Sequence, residues 1–427
     1  MISEMKLLFP LLYSSTIFSH KVSAAVASCI SSLTDLEDAL SEASPGDQIH
    51  ICDGDYEEWK IEMDTVGVRV SAVTPGQVSM HHSSHVTISG SDNIFSGVVF
   101  HGGGRTRPIT VEGDRNTISD CVIEHHEADN WVEIQGINNT VTNCRFSEKT
   151  AKYPYEGSNA GQQLLQSRVS PDSHHNSILN NVFYDYHYED PDQTERGNGY
   201  ETIQIRDGED KQGDGHNTVE GNYFYGMNVE VEVISIKSRY NLIQNNAFES
   251  NEGSITLRDG DFNTVFGNVF MGNNVEDSYG IRIFNKHHII KDNWMSRLKD
   301  GGLRIYAGGP DHIAAENVTM ESNTMEDCFE AVQLGHSYNE PPVEPIVFIN
   351  NIVSNNENIK MIEQNNFDVD YDFSRGNYFF GSNLGWDNGE VPDGLIWEEK
   401  VMDVGPQGDE MLQKIKCNAG PSWENTC

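Results

Sequence analysis

A segment that begins with Asn and recurs along the middle of the chain limits most strongly how this sequence can fold. In each copy the first Asn is followed by a short run of polar and apolar residues and, five positions after that Asn, by a second Asn or a Cys. The copies start at Asn116, Asn139, Asn176, Asn217, Asn241 and Asn263, and a weaker copy starts at His288. Successive starts lie 23, 37, 41, 24, 22 and 25 residues apart. A repeat of about 20–25 residues with short strands is typical of a β-solenoid.

A second short strand precedes each of the later copies. These strands alternate Ile or Leu with polar residues, so the apolar side chains should face inward and the polar ones outward. They cover residues 202–206, 233–237, 254–258, 280–284 and 302–306. Leucine-rich repeats share the period but require a Leu framework that this chain lacks. The sequence therefore predicts an all-β fold, a single-domain parallel β-helix, and the right-handed coil is the expectation for this class of fold.

Both ends of the β-helix should differ from its middle. Thr34-Asp35-Leu36-Glu37 resembles a capping box that opens a short helix ending near Ala43, and this helix should cover the first coil. The two long intervals predict insertions at residues 148–170 and 185–216, where loops often carry function. The β-helix domain is expected over residues 25–356, and residues 357–427 are expected to form an irregular C-terminal cap of the same domain.

The first 24 residues are typical of a secretory signal peptide. Lys6 precedes a short apolar run, and small residues follow it at Ser23, Ala24 and Ala25. The mature protein is therefore expected to be secreted or periplasmic. A lipoprotein signal that ends at Cys29 is the alternative, and it would give a lipid-anchored form. No later run reaches the roughly 20 apolar residues of a membrane helix.

The seven cysteines suit an oxidising compartment. The expected disulfides are Cys417–Cys427, which closes a short loop, and Cys29–Cys52, which competes with lipidation of Cys29. The other three, Cys121, Cys144 and Cys328, fall at equivalent repeat positions and are expected to be buried free thiols.

The charge of the chain is strongly acidic. It has 28 Lys and Arg against 66 Asp and Glu, a net charge of −38 over 427 residues. Such a chain should repel nucleic acids and anionic membranes. We expect no nucleic-acid partner, no membrane span and a monomer.

One local row of cations departs from this overall charge. Aligning the second strands places Arg206, Lys237 and Arg258 in one outward row, continued by Phe284 and Tyr306. A parallel row contains Gln204, Ser235, Thr256, Arg282 and Arg304. Because adjacent coils lie about 4.8 Å apart, Lys237 and Arg258 should be direct neighbours. Folding alone gives no reason to juxtapose two cations, so the row predicts binding of an anionic ligand.

Oxygen ligands lie close to this row in the sequence. Glu230 and Glu232 precede the strand of Lys237 and project to the same side, so they could chelate a hard cation. They share a site with Lys237 only if the chain bends between residues 232 and 237. Asn198 offers an amide oxygen one coil earlier, and an oxygen-only set favours calcium over zinc.

These residues resemble the core motifs of polysaccharide lyase family 6, which contains alginate lyases and the dermatan-cleaving chondroitinase B. The matching motifs are Asn198-Gly199-x-Glu201, Glu230-x-Glu232-x-Ile234-Ser235-x-Lys237-Ser238 and Leu257-Arg258-x-Gly260. The resemblance covers residues 30–340 and implies a parallel β-helix. One departure concerns the residue after Arg258, which is Asp259 here and often His in the family.

The resemblance implies a role for each matching residue. It makes Asn198, Glu230 and Glu232 the calcium ligands, Lys237 the general base and Arg258 the general acid of a uronate β-elimination. The cationic and aromatic residues nearby are expected to bind substrate carboxylates and sugar faces; these are Arg206, Arg239, Arg282, Arg304 and Tyr306.

The protein is therefore expected to be a secreted lyase that cleaves alginate by calcium-assisted β-elimination and leaves 4,5-unsaturated uronate ends. Alginate is favoured over dermatan sulfate because the outer surface has few further cations for sulfate groups. The alternatives are a dermatan sulfate lyase, another β-helical carbohydrate enzyme such as a pectate lyase or polygalacturonase, and a non-catalytic glycan-binding β-helix.

Overall fold

The chain coils into a parallel β-helix whose walls are three long parallel sheets, as the sequence predicts. This computed structural model describes residues 29–152, 162–193, 198–207, 212–309, 312–336, 345–356, 358–365, 371–386 and 390–424. The predicted signal peptide, the tip of the first insertion, residues 194–197 and 208–211 of the second, and Cys427 lie outside the described residues.

Sheet 1 is formed by the strands that begin each Asn repeat. Its strands, in spatial order, are β1 (Gln48–Ile51), β4 (Arg69–Ala72), β7 (Ile94–Ser96), β10 (Thr117–Ser119), β13 (Thr140–Thr142), β16 (Ser177–Leu179), β19 (Thr218–Glu220), β22 (Leu242–Gln244), β25 (Thr264–Phe266), β28 (Ile289–Lys291), β31 (Thr319–Glu321), β34 (Ile346–Ile349) and β37 (Tyr371–Arg375).

Sheet 2 follows directly after a tight turn in each coil. It contains β2 (Gly54–Glu57), β5 (Val78–His81), β8 (Val98–His101), β11 (Val122–Glu124), β14 (Arg145–Ala151), β17 (Val182–Tyr188), β20 (Tyr223–Met227), β23 (Ala247–Glu249), β26 (Val269–Met271), β29 (Trp294–Ser296), β32 (Thr324–Glu326), β35 (Ile352–Ser354), β38 (Asn377–Phe380) and β39 (Leu395–Glu398).

Sheet 3 carries the second strands of the repeats and, with them, the predicted site. It contains β3 (Lys60–Met63), β6 (His85–Ile88), β9 (Ile109–Val111), β12 (Val132–Ile134), β15 (Leu165–Val169), β18 (Ile203–Asp207), β21 (Glu232–Lys237), β24 (Ser254–Asp259), β27 (Ile281–Ile283), β30 (Leu303–Tyr306), β33 (Val332–His336) and β36 (Ile362–Gln364).

Two ladders of buried Asn side chains join the coils at the turns that flank sheet 1. In each ladder the Asn Oδ1 accepts a hydrogen bond from the backbone N–H of the equivalent residue one coil earlier. Asn246 shows the pattern, since its Oδ1 accepts from Asn222 N at 3.0 Å and its Nδ2 donates to Val219 O at 2.8 Å. The first ladder contains Asn93, Asn116, Asn139, Asn176, Asn217, Asn241 and Asn263. The second contains Asn181, Asn222, Asn246, Asn268, Asn293, Asn323, Asn351 and Asn377.

The left-handed backbone conformation belongs to the residue before each ladder Asn. Asn180, Asn245 and Asn350, for example, have φ near +53°. Many of these preceding positions hold residues other than Asn, such as Tyr240 with φ +58°. The Asn of the repeat is therefore required mainly for its two-ended hydrogen bonding, and less for the backbone conformation that the sequence pattern suggested.

Inside the coils, apolar side chains stack on their equivalents in the next coil. Phe146, Phe183, Phe224, Phe248 and Phe270 form one such stack, with ring centroids 4.8–4.9 Å apart. All five rings are buried. The strand spacing of the three sheets therefore also sets the packing of the core.

The N-terminal helix α1 (Leu33–Glu42) covers the first coil, as predicted. Its buried residues are Leu36 and Leu40, which belong to the continuous core. The N-cap is Ser32, whose hydroxyl accepts from Asp35 N at 3.2 Å, and not Thr34. The Cys29–Cys52 disulfide is present and ties the segment before this helix to the first coil. The Cys29 sulfur is therefore engaged in a disulfide here, as the first of the two alternatives for this residue expects.

The coils continue beyond residue 356, into the region expected to be irregular. Strands β36, β37 and β38 extend all three sheets, and Asn377 continues the second Asn ladder by accepting from Asn351 N at 3.1 Å. The sequence pattern missed these coils because they lack the Asn-Thr-Ile start. After β39 the described residues form no further strand, and they include helix α2 (Gln407–Asn418).

The C-terminal segment runs back along the outside of sheet 2. Helix α2 buries Leu412 and Ile415 against Trp294 and neighbouring apolar residues of that sheet. Further on, Glu424 forms an ion pair with Arg145 at 2.9 Å. Neither described helix has the length and apolar composition that crossing a membrane requires.

The remaining cysteines agree with their repeat positions. Cys121, Cys144 and Cys328 are buried and free, as expected. Cys417 is disulfide-bonded, while its expected partner Cys427 lies outside the described residues. That pairing stays a prediction.

His288 takes the place of Asn in the first ladder and makes stability depend on pH. Its Nδ1 accepts from Asn263 N at 3.1 Å, and its Nε2 lies 2.8 Å from Phe284 O. Burial lowers the pKa of His288 to about 4. An unfolded His titrates near about 6.5, so the unfolded chain binds a proton that the folded protein does not between these values. The stability contributed here is present above about pH 6.5 and is lost as the pH falls towards about 4.

We predict that His288→Asn reduces this acid sensitivity, because Asn continues the ladder without titrating. Thermal unfolding between pH 7 and 4.5 should show a decrease in Tm that is smaller than in the wild type by about 2 °C or more. His287→Asn is the matched control, because His287 lies outside the ladder. Equal acid-induced decreases in Tm for wild type and His288→Asn would contradict this account.

Candidate active site

The predicted site lies on the outer face of sheet 3, where five adjacent strands present polar side chains. The observed register places Gln204, Ser235, Thr256, Arg282 and Arg304 in one row across β18, β21, β24, β27 and β30. This row matches the alignment made from the sequence. Arg206 and Lys237 are also direct neighbours, as expected.

Two irregularities in the pairing of β21 with β24 shape the site. Glu232 pairs with Ser254 but Ile234 pairs with Ile255, so Val233 is an extra residue on β21. The bulge supplies the bend that the sequence required between Glu232 and the end of the strand. As a result Glu232 reaches the outward row, where Ser235 Oγ donates a hydrogen bond to its Oε2.

The second irregularity changes which residue lies opposite Lys237. Ile236 pairs with Leu257, but Lys237 pairs with Asp259, so Arg258 is the extra residue on β24. The expectation that Lys237 and Arg258 are direct register partners was therefore wrong. The position at which this chain departs from the family pattern, Asp259, is the one that lies across from Lys237.

Lys237 is held by a buried carboxylate that had been given no role. Its Nζ lies 3.0 Å from Glu201 Oε1, and Glu201 is only 2 % exposed. Gln163 Nε2 and Gln204 Nε2 donate to the same carboxylate at 2.8 and 2.7 Å. Burial by itself raises the pKa of Glu201, but the charge of Lys237 and the hydrogen bond from Gln163 outweigh it and leave this pKa below its usual range. Glu201 is therefore an anion that fixes the position of the amine.

Arg258 is held by a second carboxylate. Its Nη1 lies 3.4 Å from Glu232 Oε1, and Arg282 Nη1 lies 3.5 Å from the same oxygen. The guanidinium of Arg258 also lies over the ring of Phe284, 5.6 Å from its centroid. The side chains of Lys237 and Arg258 remain 23 % and 28 % exposed. A substrate can therefore reach both groups.

The third carboxylate, Glu230, is crowded by the other two. Burial, the charge of Glu201 and the charge of Glu232 raise the pKa of Glu230 to about 8, although a hydrogen bond from the Tyr200 backbone acts in the opposite direction. Its Oε2 is buried and has no hydrogen-bond partner among the described residues. A bound cation would give this buried oxygen a partner and would offset the negative charge of the neighbouring carboxylates.

The donor set suits a hard cation. Glu230 and Glu232 are both 6 % exposed. Asn198 is exposed and lies two residues before Tyr200, whose backbone contacts Glu230. Carboxylate and amide oxygens are the ligands of calcium. Among the described residues, no group of three or more His, Cys, Asp or Glu side chains is arranged to hold a metal, so any site needs ligands beyond the acids, such as the amide oxygen of Asn198.

The residues predicted to bind substrate occupy three different environments. Arg206 is exposed next to Lys237. Arg304 and Tyr306 are mostly buried, and Tyr306 Oη lies 3.1 Å from Arg282 Nε. Arg239 lies apart at the corner after β21, where it forms an ion pair with Asp214 at 2.5 Å. The structure thus brings Arg282, Arg304 and Tyr306 together and separates Arg239 from them.

The residues that sequence reasoning overlooked are the supporting ones. Glu201 stood in the Asn198-Gly199-x-Glu201 motif, three residues after a predicted ligand, and this spacing was the available signal. Gln163 comes from the first insertion, and nothing in its local sequence marks it. Phe284 was expected in the outward row but is fully buried beneath the arginines.

The chain is similar to a known protein family and to several solved structures. The family model described as Chondroitinase B matches residues 30–372. No curated protein matches the chain. Three of the similar solved structures are described as a mannuronic acid specific polysaccharide family 6 lyase from human gut microbiota, the PL6 family alginate lyase AlyGC, and a PL6 alginate lyase in complex with a trisaccharide.

The likeness to these structures extends over nearly the whole chain. The gut-microbiota lyase is 21 % identical with a TM-score of 0.74, over 92 % of this chain and 95 % of that one. AlyGC is 24 % identical with a TM-score of 0.77, over 93 % of this chain but only 57 % of its own length. The trisaccharide complex is 20 % identical with a TM-score of 0.71, over 94 % and 96 %. At these identities the likeness shows the fold.

Proposed function

The chain belongs to the chondroitinase B family and is a polysaccharide lyase of family 6, and from this premise we propose that it cleaves alginate by calcium-assisted β-elimination. The observation that carries the proposal is the pairing of one amine and one guanidinium at the surface of sheet 3. Lys237 and Arg258 project from adjacent strands, and a separate buried carboxylate orients each of them.

The reaction needs a base and a hydrogen-bond donor on either side of one uronate. The amine of Lys237, once deprotonated, takes the proton from C5. The electron pair of that C–H bond forms the C4–C5 double bond, and the bond from C4 to the glycosidic oxygen breaks. Arg258 stabilises the departing oxygen and delivers a proton to it, as general acid. Glu201 positions Lys237 Nζ, and Glu232 positions Arg258.

The acidity of the C5 proton is the main chemical difficulty, because a neighbouring carboxylate already carries negative charge. Asn198, Glu230 and Glu232 would hold a calcium ion, which supplies the positive charge that neutralises this carboxylate. The protein itself adds the guanidinium of Arg282, which lies at Glu232 beside Arg258. Arg206, Arg304, Arg239 and Tyr306 are proposed to bind the carboxylates and ring faces of further sugars.

Alginate is the proposed substrate for two reasons. The similar structures include lyases described as acting on alginate or as mannuronic acid specific. The outer surface also has few further cations that could bind sulfate groups. Dermatan sulfate is the second candidate, because the matching family model is described as Chondroitinase B. A non-catalytic glycan-binding role would not explain why a buried carboxylate orients the amine of Lys237 and another orients the guanidinium of Arg258.

The proposed location is outside the cytoplasm. The Cys29–Cys52 disulfide supports it, because disulfides form and persist in oxidising compartments. The signal peptide predicted over residues 1–24 gives the same location.

A substrate panel tests the proposed function. The purified protein should form the ultraviolet-absorbing unsaturated uronate from poly-mannuronate, poly-guluronate or mixed alginate, and at a much lower rate from dermatan sulfate and pectate. Faster cleavage of dermatan sulfate than of alginate would identify dermatan sulfate as the substrate. Polysaccharide binding with no chromophore and no shortening of the chains would contradict lyase activity on these substrates.

Removing either group of the pair should abolish catalysis. We predict that Lys237→Ala and Arg258→Ala each lower kcat by at least about 100-fold, because each loses one proton-transfer or charge-stabilising group. The Tm of both variants should stay close to that of the wild type. Lys291→Ala and Arg115→Ala are matched controls, because both side chains form ion pairs on the face of sheet 1 or its turns. A Lys237→Ala variant with near wild-type rate would exclude Lys237 as the base.

Removal of calcium gives an independent test. Exhaustive chelation should abolish chromophore formation, and calcium added in excess should restore it while magnesium restores less. Magnesium demands a tighter octahedral shell than this carboxylate and amide set provides. Full activity after chelation would remove calcium from the proposal and leave the roles of Lys237 and Arg258 unchanged.

A further inference from the structure

The segment that carries both acidic ligands, residues 229–232, is irregular backbone held by contacts from outside its own strand. Residues 229–231 precede β21, and the bulge at Val233 interrupts the ladder of sheet 3 directly after the pair of Glu232 with Ser254. Both carboxylates are 6 % exposed, and Glu230 Oε2 has no hydrogen-bond partner among the described residues. Contacts from other parts of the chain must therefore hold Glu230 and Glu232 in place in the cation-free protein.

Two buried tyrosine hydroxyls contact the backbone on either side of Glu230. Tyr188 Oη donates to Val229 O at 2.5 Å, and Tyr279 Oη donates to Val231 O. The tyrosines are 6 % and 1 % exposed. They come from different coils, since Tyr188 ends β17 and Tyr279 precedes β27. The two carbonyls that flank Glu230 are therefore fixed from opposite directions along the helix axis.

Two further contacts hold the backbone of the same segment at Val231. Ser254 N donates to Val231 O at 3.3 Å. Gly253 has φ +129°, and a Cβ there would lie 2.5 Å from Val231 O. The chain therefore approaches this carbonyl as closely as only glycine allows.

Tyr188 also supports the residue that contacts Glu230 directly. Its ring packs edge-on against the ring of Tyr200 with centroids 6.0 Å apart, and Tyr200 Oη donates to Lys152 O at 2.9 Å. The backbone of Tyr200 in turn hydrogen-bonds Glu230. One tyrosine thus fixes both the main chain beside Glu230 and a hydrogen-bond donor to its carboxylate.

We propose that Tyr188 and Tyr279 form a clamp that holds Glu230 and Glu232 in the arrangement required for cation binding before the cation arrives. This inference rests on the calcium site of the proposed function. The tyrosines are positioning residues, because their hydroxyls donate to the main-chain carbonyls of Val229 and Val231.

The clamp acts on binding and not on the elimination itself. Without a hydroxyl on Val229 O or Val231 O, this irregular segment would relax to another arrangement in the cation-free protein. Cation binding would then have to reverse that movement, and the affinity would fall by the cost of reordering. At saturating calcium the same final arrangement forms, so kcat should recover.

Tyr188→Phe and Tyr279→Phe remove each hydroxyl and keep the ring. Tyr56→Phe is the matched control, because Tyr56 is also buried and its Oη donates to a main-chain carbonyl, Cys52 O at 2.7 Å, far from the site. The measurements are calorimetric titration of the chelated protein with calcium chloride, and hydrogen exchange of residues 229–236 in the calcium-free protein.

The clamp predicts that Tyr188→Phe and Tyr279→Phe each weaken calcium binding by about three- to ten-fold, the loss of one buried hydrogen bond. It also predicts faster exchange over residues 229–236 and activity that excess calcium restores. Tyr56→Phe should change none of these.

Other patterns would overturn the inference. Wild-type affinity and exchange in both site variants would exclude the clamp and leave the calcium site standing. A similar loss of calcium affinity in Tyr56→Phe would show that the effect comes from general destabilisation of the fold and not from the clamp. A wild-type protein that binds no calcium would remove the calcium part of the proposed function, and the clamp with it.

Discussion

The hydrogen bonds of the Asn side chains between neighbouring coils are the interaction on which the rest of this structure depends. A parallel β-helix must turn three times per coil, and each turn leaves backbone donors that the sheets do not satisfy. A buried Asn accepts from one coil and donates to another, as Asn246 does with Asn222 and Val219. The ladders therefore join the turns of neighbouring coils at the spacing of the three sheets, and this common spacing lets the Phe stack inside and the cation row outside form with the same period.

The site exists because two strands depart from that period. A perfect repeat would place every outward residue above its equivalent and would separate Glu232 from the face of Ser235. The bulge at Val233 returns Glu232 to the outer face, and the second bulge moves Asp259 opposite Lys237. The result is an alternation of charges in which Glu201 holds Lys237 and Glu232 holds Arg258. Cations that would repel one another in a regular row are each paired with a buried acid.

Much of this arrangement was predictable, for physical reasons that differ between residues. The row from Gln204 to Arg304 follows from strand alternation, and the buried thiols follow from their repeat positions. The coils after residue 356 were not predicted, because β36 to β38 keep the geometry without the Asn-Thr-Ile start. The supporting role of Glu201 depends on contacts with Gln163, which comes from another coil. The local sequence around Glu201 does not indicate that Gln163 lies nearby.

The sequence by itself determined the parallel β-helix, the face that carries the cations and the residue types of the site, because a period of 20–25 residues and alternation within strands are properties of the chain alone. Only the tertiary structure decided which acid meets which cation. Bulges shift the register by single residues, and buried contacts such as Tyr188 to Val229 join coils more than 40 residues apart. Both depend on the packing of neighbouring coils, which no local pattern of residues specifies.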